Sequence, residues 1–276
     1  MAESVVLRVA VEAPAHTGLI GPLDYSCEQV LAPGTLVRVP LGKREVPGLV
    51  WAARPRAPEA TEPAEAASAL ELRPVSQALL SMPPLGPRWC ALLDFAAGYY
   101  QRSVGEVALS VLPPELRKLD DAQLANRIKK LGKSLQTTPD TAGPPPLPLL
   151  SDEQAQVLEQ LDPLVSGSQS ATVLLHGATG SGKTEVYLRA AARALGAGRQ
   201  ALVLVPEINL TPQLEARFTA RFAGRHIVSL HSGLTPAQRL RSWLAAHLGL
   251  ADLVLGTRLA VFASMPRPGL IVVDEE

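Results

Sequence analysis

The segment Gly177-Ala178-Thr179-Gly180-Ser181-Gly182-Lys183-Thr184 follows an apolar run, Val173-Leu174-Leu175, and opens a stretch rich in alanine and leucine. It has the form G-x-x-x-x-G-K-[ST], in which glycines let the backbone curl until several N–H groups point at one phosphate chain. The following helix adds its positive N-terminal end. Lys183 is then expected to reach the β and γ phosphates, and Thr184, at the start of the helix, to put its hydroxyl on Mg²⁺. Gly177, Ala178, Thr179, Gly180, Ser181 and Gly182 form the cradle, with Gly180 keeping it free of side chains where phosphate oxygens approach.

Such a loop belongs between a strand and a helix, and the second half of the chain has that rhythm. Short apolar β runs at 172–175, 201–205, 227–230, 253–255 and 270–273 alternate with helical stretches near 185–197, 211–222 and 236–248. This predicts a parallel sheet covered on both faces. Thr235-Pro236 supplies an N-cap and an N1 proline for the last helix. The run Leu270-Ile-Val-Val leads into Asp274-Glu275-Glu276, a Walker-B pattern when it lies downstream of a P-loop. Asp274 is expected to hold Mg²⁺ and Glu275 to polarise the attacking water.

Charge and cysteine content narrow the rest. Lys plus Arg and Asp plus Glu both number 26, so there is no global basic footprint, and any nucleic acid has to be held by local Arg and Lys groups. The two cysteines, Cys27 and Cys90, stand far apart outside any C-x-x-C, which signals neither a disulfide framework nor a zinc site. No signal peptide or membrane-length apolar run is present, so the expected location is the cytoplasm, away from membranes.

The first half reads differently. Residues 4–11, 35–40 and 46–51 are β-rich, the last two bracketing Leu41-Gly42-Lys43-Arg44-Glu45 as a hairpin. Its tip carries Lys43 and Arg44, which can meet phosphate or stand solvated. Residues 52–69, rich in Ala, Pro and Glu, read as an exposed connection. A helix runs from Pro87 through Tyr100, and Ser103-x-x-Glu106 is a capping box for a second helix that Pro113-Pro114 stops. That pair serves equally as a helix-turn-helix or as plain core, and the second helix has no Arg or Lys to read bases. Leu124, Ile128, Leu131 and Leu135 stripe a third helix, and Gly143 to Pro148 is a stiff spacer.

Five ordered motifs now stand together: Gly177 to Tyr187, Leu-Val-Pro-Glu-Ile-Asn-Leu-Thr-Pro-Gln (204–213), Leu-His-Ser-Gly-Leu (230–234), Val-Leu-Gly-Thr-Arg (254–258) and Val-Asp-Glu-Glu (273–276). With Asp24-Tyr25, Val37 to Arg44, Gly48 to Val50, Tyr99-Tyr100 and Gly105-Glu106-Val107, the chain resembles the primosomal protein N′ (PriA) family of superfamily 2 helicases. The resemblance implies an ATP-dependent 3′ to 5′ DNA helicase of replication restart, which acts on stalled forks with single-strand-binding protein and other primosome proteins as partners. It implies an α/β chain: a small β-rich 3′-DNA-end-binding domain over 1–112, an abbreviated winged-helix region and Pro-rich linker over 113–150, and a RecA-like P-loop lobe over 151–276.

Carried over to matching positions, Gln154 reads adenine, Lys183 and Thr184 take triphosphate and Mg²⁺, and Asp274 and Glu275 are the metal ligand and base. Pro206, Glu207, Thr211, Gly256, Thr257 and Arg258 track the single strand, and Asp24 accepts a hydrogen bond from a nascent 3′ end. The chain stops at Glu276, ahead of the histidine that completes the family's Asp-Glu-Glu-His. It lacks the second lobe with its arginine finger and the cysteine-rich insertion, so zinc is expected only in the missing part. The expectation is therefore a portion of a helicase that binds ATP and forked or single-stranded DNA with little hydrolysis. The alternative is a non-catalytic fork-binding module.

Overall fold

In a computed structural model the chain divides into two compact units, Met1–Lys129 and Lys130–Glu276. The structure describes residues 5–12, 21–55, 72–136, 146–167, 169–178 and 180–274.

In the first unit β1 (Val5–Val11), β2 (Leu23–Cys27), β3 (Leu36–Leu41), β4 (Arg44–Pro55) and β5 (Gln77–Ala78) form one sheet of order β2-β1-β4-β3-β5. Every named pairing is antiparallel. The sheet curls on itself, because Ser26 of β2 also bonds to the segment leading into β5, with Ser26 N donating to Arg73 O at 3.0 Å and Val75 N to Ser26 O at 2.9 Å. Its inside is the alternate set Leu7, Val9, Val37, Val39 and Val50, all buried, with Tyr25 among them. Each such side chain contributes roughly 1.5–3 kcal/mol by leaving water. The sequence pattern missed β2 and β5, whose mixed polarity shows no alternation. It also ended β4 too early: residues 52–55, read as connection, continue the strand against β1, and 56–69 fall outside the described residues.

Helix α1 (Pro87–Tyr100) and α2 (Val104–Val111) meet at Gln101, which takes the left-handed conformation at φ 51° and ends α1. Ser103 caps α2 by accepting from Glu106 N, but the other half of the capping box does not form. The Glu106 carboxylate goes to Arg102 instead, at 3.4 Å. Ala108 and Leu109 are buried, and a Cβ on Gly105 would lie 2.0 Å from Val11 O, so α2 is pressed onto β1. Each helix buries one face, Trp89 and Leu93 on α1 and Ala108 and Leu109 on α2, while Phe95, Tyr99 and Tyr100 of α1 are exposed. A single 3₁₀ turn, Leu116–Lys118, precedes α3 (Asp121–Gln136), on which Leu124 and Leu131 are buried as the stripe predicts.

In the second unit β6 (Gln200–Leu204), β7 (Ile227–Leu230), β8 (Leu253–Gly256) and β9 (Pro268–Val273) make a wholly parallel sheet of order β7-β8-β6-β9. Helices α5 (Lys183–Gly196), α6 (Pro212–Arg221) and α7 (Pro236–His247) alternate with the strands, and α4 (Asp152–Ser166), which the periodicity missed, packs on α5. Parallel strands buried on both faces read as continuous apolar runs, as β8 does. Thr211 and Thr235 cap α6 and α7, each followed by proline at the first helical position, where a missing N–H costs nothing. Gln200 is the buried polar residue of β6. Its amide donates to Ala246 O at 3.1 Å and Ala251 O at 2.8 Å and accepts from Arg267 N at 3.1 Å, so its polar atoms are paired.

One expected strand is absent. Residues 171–178 carry no strand, and Val173 and Leu174 are 50% and 88% exposed. An apolar run becomes a strand only beside a partner ladder. Among the described residues β9 is the edge of the sheet, with Ile271 and Val273 exposed on it, and nothing bridges from it to 172–175.

The close approach at Gly105 gives a direct test. Gly105→Ala must push α2 off Val11 and is expected to lower stability by about 1–3 kcal/mol. Gly98→Ala, in α1 with nothing within 4 Å of the added methyl, is expected to raise it by about 0.5–1 kcal/mol. Urea midpoints of the two variants should therefore move in opposite directions.

Candidate functional site

The carboxyl ends of the parallel strands gather most of the residues that the motifs single out. Leu204, Gly256, Val273 and Leu230 lie level in the ladder register, so the residues just beyond them emerge on one edge of the sheet. Val205-Pro206 succeed β6, His231 succeeds β7, Thr257 succeeds β8 and Asp274 succeeds β9. In open parallel sheets this is the edge at which ligands bind.

Cross-links hold the edge together. Val205 N donates to Gly256 O at 2.9 Å, Thr257 N to Leu230 O at 3.2 Å and Asp274 N to Leu204 O at 2.8 Å. The Ser232 hydroxyl donates to the Glu207 carboxylate, joining the loop after β7 to the loop after β6. A Cβ on Gly256 would lie 2.7 Å from Leu230 O, so only glycine lets the two strand ends close. Pro206 precedes a 3₁₀ turn, Glu207–Asn209, and the Thr211 hydroxyl accepts from Leu214 N at 3.3 Å as the cap of α6. Thr257 is buried, while Arg258 is exposed.

The glycine-rich loop is anchored at its far end by α5. Gly180 and Gly182 have φ of +80° and +83°, a region that side chains with a Cβ disfavour, and Gly182 stands at the N-terminus of the helix. A Cβ there would also lie 2.2 Å from the Gln154 amide nitrogen. Gln154 does two things. Its oxygen accepts from Ser151 N at 3.0 Å in the capping box of α4, and its nitrogen donates to Ser181 O at 3.2 Å. The Lys183 ammonium donates to Gly177 O at 2.7 Å and Ala178 O at 3.2 Å, so it lies over the carbonyls of its own loop. Gly177, Ala178, Gly180, Ser181, Gly182, Lys183, Thr184 and Gln154 are thus together. Thr179 and Glu275 lie outside the described residues.

Helix and edge meet through Tyr187, to which the motif reading gave no role. Its hydroxyl donates to Asp274 Oδ2 at 2.8 Å. Burial pushes its phenol well above the usual tyrosine range, helped by the hydrogen bond to Asp274 and that residue's charge. A hydrogen bond with Thr184 and the charge of Arg217 work the other way. The signal was in the spacing: Tyr187 is three residues after Thr184, on the same face of α5. Glu185, also passed over, accepts from Arg189 Nε at 2.8 Å and Arg221 Nη2 at 2.7 Å. The Arg221 and Glu185 side chains are 9% and 14% exposed, so a largely shielded pair ties α5 to α6.

In the first unit Asp24 is on β2, not in a turn. Its Oδ2 accepts from Arg54 at 2.5 Å, Arg8 Nε is 3.9 Å from Oδ1, and that oxygen is buried with no hydrogen bond. Neither arginine was foreseen, because the cross-strand pairing Arg8↔Asp24 needs the unrecognised strand β2. The hairpin turns more tightly than expected: Leu41 pairs with Arg44, which leaves Gly42 and Lys43 at the tip and Arg44 in the strand. Lys43 and Arg44 are exposed. Arg73 donates to Gly42 O at 2.7 Å and Tyr25 to Pro40 O at 3.1 Å, so the tip and β2 are neighbours. Tyr25 is core.

Comparison with known proteins respects the same division. Residues 8–113 match the family model described as 3′DNA-binding domain (3′BD), and residues 151–276 that of the DEAD/DEAH box helicase. Replication restart protein PriA of Rickettsia felis is 32% identical over 259 residues, 92% of this chain. Those of Synechocystis sp. and Bacillus subtilis are 49% and 44% identical over 129 and 131 residues, 47% and 48% of the chain. The chain belongs to the PriA family. The matched regions span 35% of the Rickettsia PriA and 15% and 16% of the other two. Among the described residues no helix is long and apolar enough to cross a membrane.

The Glu185 cluster carries a stability test. Glu185→Ala leaves the largely shielded Arg221 without its partner and is expected to cost about 1.5–3 kcal/mol in a urea melt. Arg221→Met in the same chain should recover much of that loss.

Proposed function

We propose that these 276 residues are the ATP- and DNA-binding portion of a cytoplasmic 3′ to 5′ DNA helicase that recognises stalled forks and starts primosome assembly. The division proposed is a 3′-end-binding domain over 1–112, a linker with winged-helix remnant over 113–150, and helicase lobe 1, of RecA-like fold, over 151–276. The observation that carries the reading is the meeting, at one sheet edge, of the Lys183 loop, Thr184 and Asp274 through Tyr187.

The donor set fits a nucleotide with Mg²⁺: a hydroxyl and a carboxylate share one phenol, beside an ammonium that now holds carbonyl oxygens in place of phosphate oxygens. Thr184 and Asp274 would hold the ion, whose chemistry is to neutralise charge growing on the phosphates. Lys183 and the N–H groups of the loop bind the triphosphate, Gln154 lies where it can meet the base, and Glu275 orients the water. Hydrolysis also needs an arginine on the transferring phosphoryl group. The family's arginine belongs to a second lobe that these residues do not include, so the chain alone binds ATP and hydrolyses little.

Pro206, Glu207, Thr211, Gly256, Thr257 and Arg258 line the same edge and track the single strand by its backbone, one guanidinium and several uncharged groups sufficing for a grip without sequence. Asp24, whose buried Oδ1 has no hydrogen bond, accepts from a 3′ hydroxyl, and Arg8 and Arg54 cancel the charge that would repel a phosphate chain. Lys43 and Arg44 meet phosphates from the neighbouring tip. Single-strand-binding protein and other primosome proteins are the proposed partners, with zinc confined to parts of the protein outside these residues.

Fluorescent ATP-analogue and fork titrations test both sites on one protein. Lys183→Ala is expected to weaken nucleotide binding at least about 100-fold, as loss of a charge-assisted contact of some 3 kcal/mol does. Fork affinity should stay unchanged. Replacing the fork's 3′ hydroxyl by a 3′ phosphate should weaken binding about 10-fold in the wild type and not at all in Asp24→Ala. Full nucleotide binding by Lys183→Ala would overturn the proposal.

A further inference from the structure

We infer that Tyr187 is a positioning residue for the Asp274 carboxylate, holding it where Mg²⁺ is taken up between Asp274 and Thr184; the inference rests on the nucleotide reading above. Tyr187 is buried on α5, one turn beyond Thr184, and its flanks Val186 and Leu188 are buried as well, so the phenol is aimed by a packed helix. Asp274, by contrast, comes after an edge strand whose outward side chains Ile271 and Val273 are exposed. Its backbone is fixed by one bond, Asp274 N to Leu204 O at 2.8 Å, which leaves the side-chain torsions free. The Tyr187 hydroxyl, 2.8 Å from Oδ2, removes that freedom by engaging one carboxylate oxygen. Hydroxyls that hold a ligand carboxylate typically matter about 10- to 100-fold to metal affinity. Glu185, the nearest other carboxylate on the helix, cannot do this, since Arg189 and Arg221 occupy it.

Tyr187→Phe deletes the hydroxyl and keeps the ring that packs on the sheet. The full chain is titrated with a fluorescent ATP analogue at graded free Mg²⁺. Affinity without Mg²⁺ and the melting temperature are expected to match the wild type, while the Mg²⁺ needed for half of the enhancement rises about 10-fold or more. In an Asp274→Asn background the same change should add nothing further, because the partner is already lost. A Mg²⁺ midpoint equal to or below that of the wild type overturns the inference, as does an equal loss with and without Mg²⁺. A wild-type chain that binds no nucleotide at all removes the reading beneath it, and the inference with it.

Discussion

The parallel ladder of the second unit aligns four strand ends, and the rest of the site depends on that alignment. Each strand contributes only a few residues beyond its last hydrogen bond, but the register brings Pro206, His231, Thr257 and Asp274 out on one edge. The inner strands β6 and β8 are short and buried, while β7 and β9 are partly exposed, so the edge is fixed by the inner pair and varies in its loops. A site assembled this way needs no long-range sequence signal. It needs apolar runs of similar length, helix caps that start the crossovers promptly, and glycine where two strand ends touch, as at Gly256.

That explains what was legible in the sequence. The runs of β6, β7, β8 and β9 are mostly apolar, with Gln200 and Ser229 as polar exceptions, and Thr-Pro twice marks a helix start, so order, class and motif positions come from local chemistry. The first unit hid more, because its sheet ends in strands that are short or polar. Leu23–Cys27 alternates weakly, and Gln77–Ala78 is too brief to register. Asp24 was picked out by its motif, while its partners Arg8 and Arg54 lie on other strands at separations that no local pattern encodes. Tyr187 and Glu185 stand inside the motif itself. Their roles were invisible because one partner, Asp274, is 87 residues away and the other, Arg221, is 36 away.

The two carboxylates at the start of α5 and the end of β9 have been given opposite work by their surroundings. Glu185 is neutralised by two guanidiniums and serves to bind α6 to α5, a structural use of charge in which removing either partner leaves a costly remainder. Asp274 meets a phenol, which donates without cancelling its charge. A carboxylate that stays negative and is held in place suits a cation, whereas one already paired with arginine does not.

The glycine-rich loop is held differently from the edge it faces. Residues 171–178 have no ladder, so the loop is fixed by side chains: Gln154 on Ser181 O, and Lys183 on Gly177 O and Ala178 O. An ammonium on two carbonyls is worth about 1.5–3 kcal/mol per bond, and under the nucleotide reading proposed above a phosphate chain would have to replace those bonds. It can, because a phosphate oxygen carries full charge where a carbonyl carries only a dipole, and the same ammonium gains by the exchange. The carbonyls it leaves return to water, since the loop is largely exposed. Lys183 therefore ties the loop to its own helix through two carbonyls, and under the nucleotide reading proposed above the same ammonium would serve the phosphate chain.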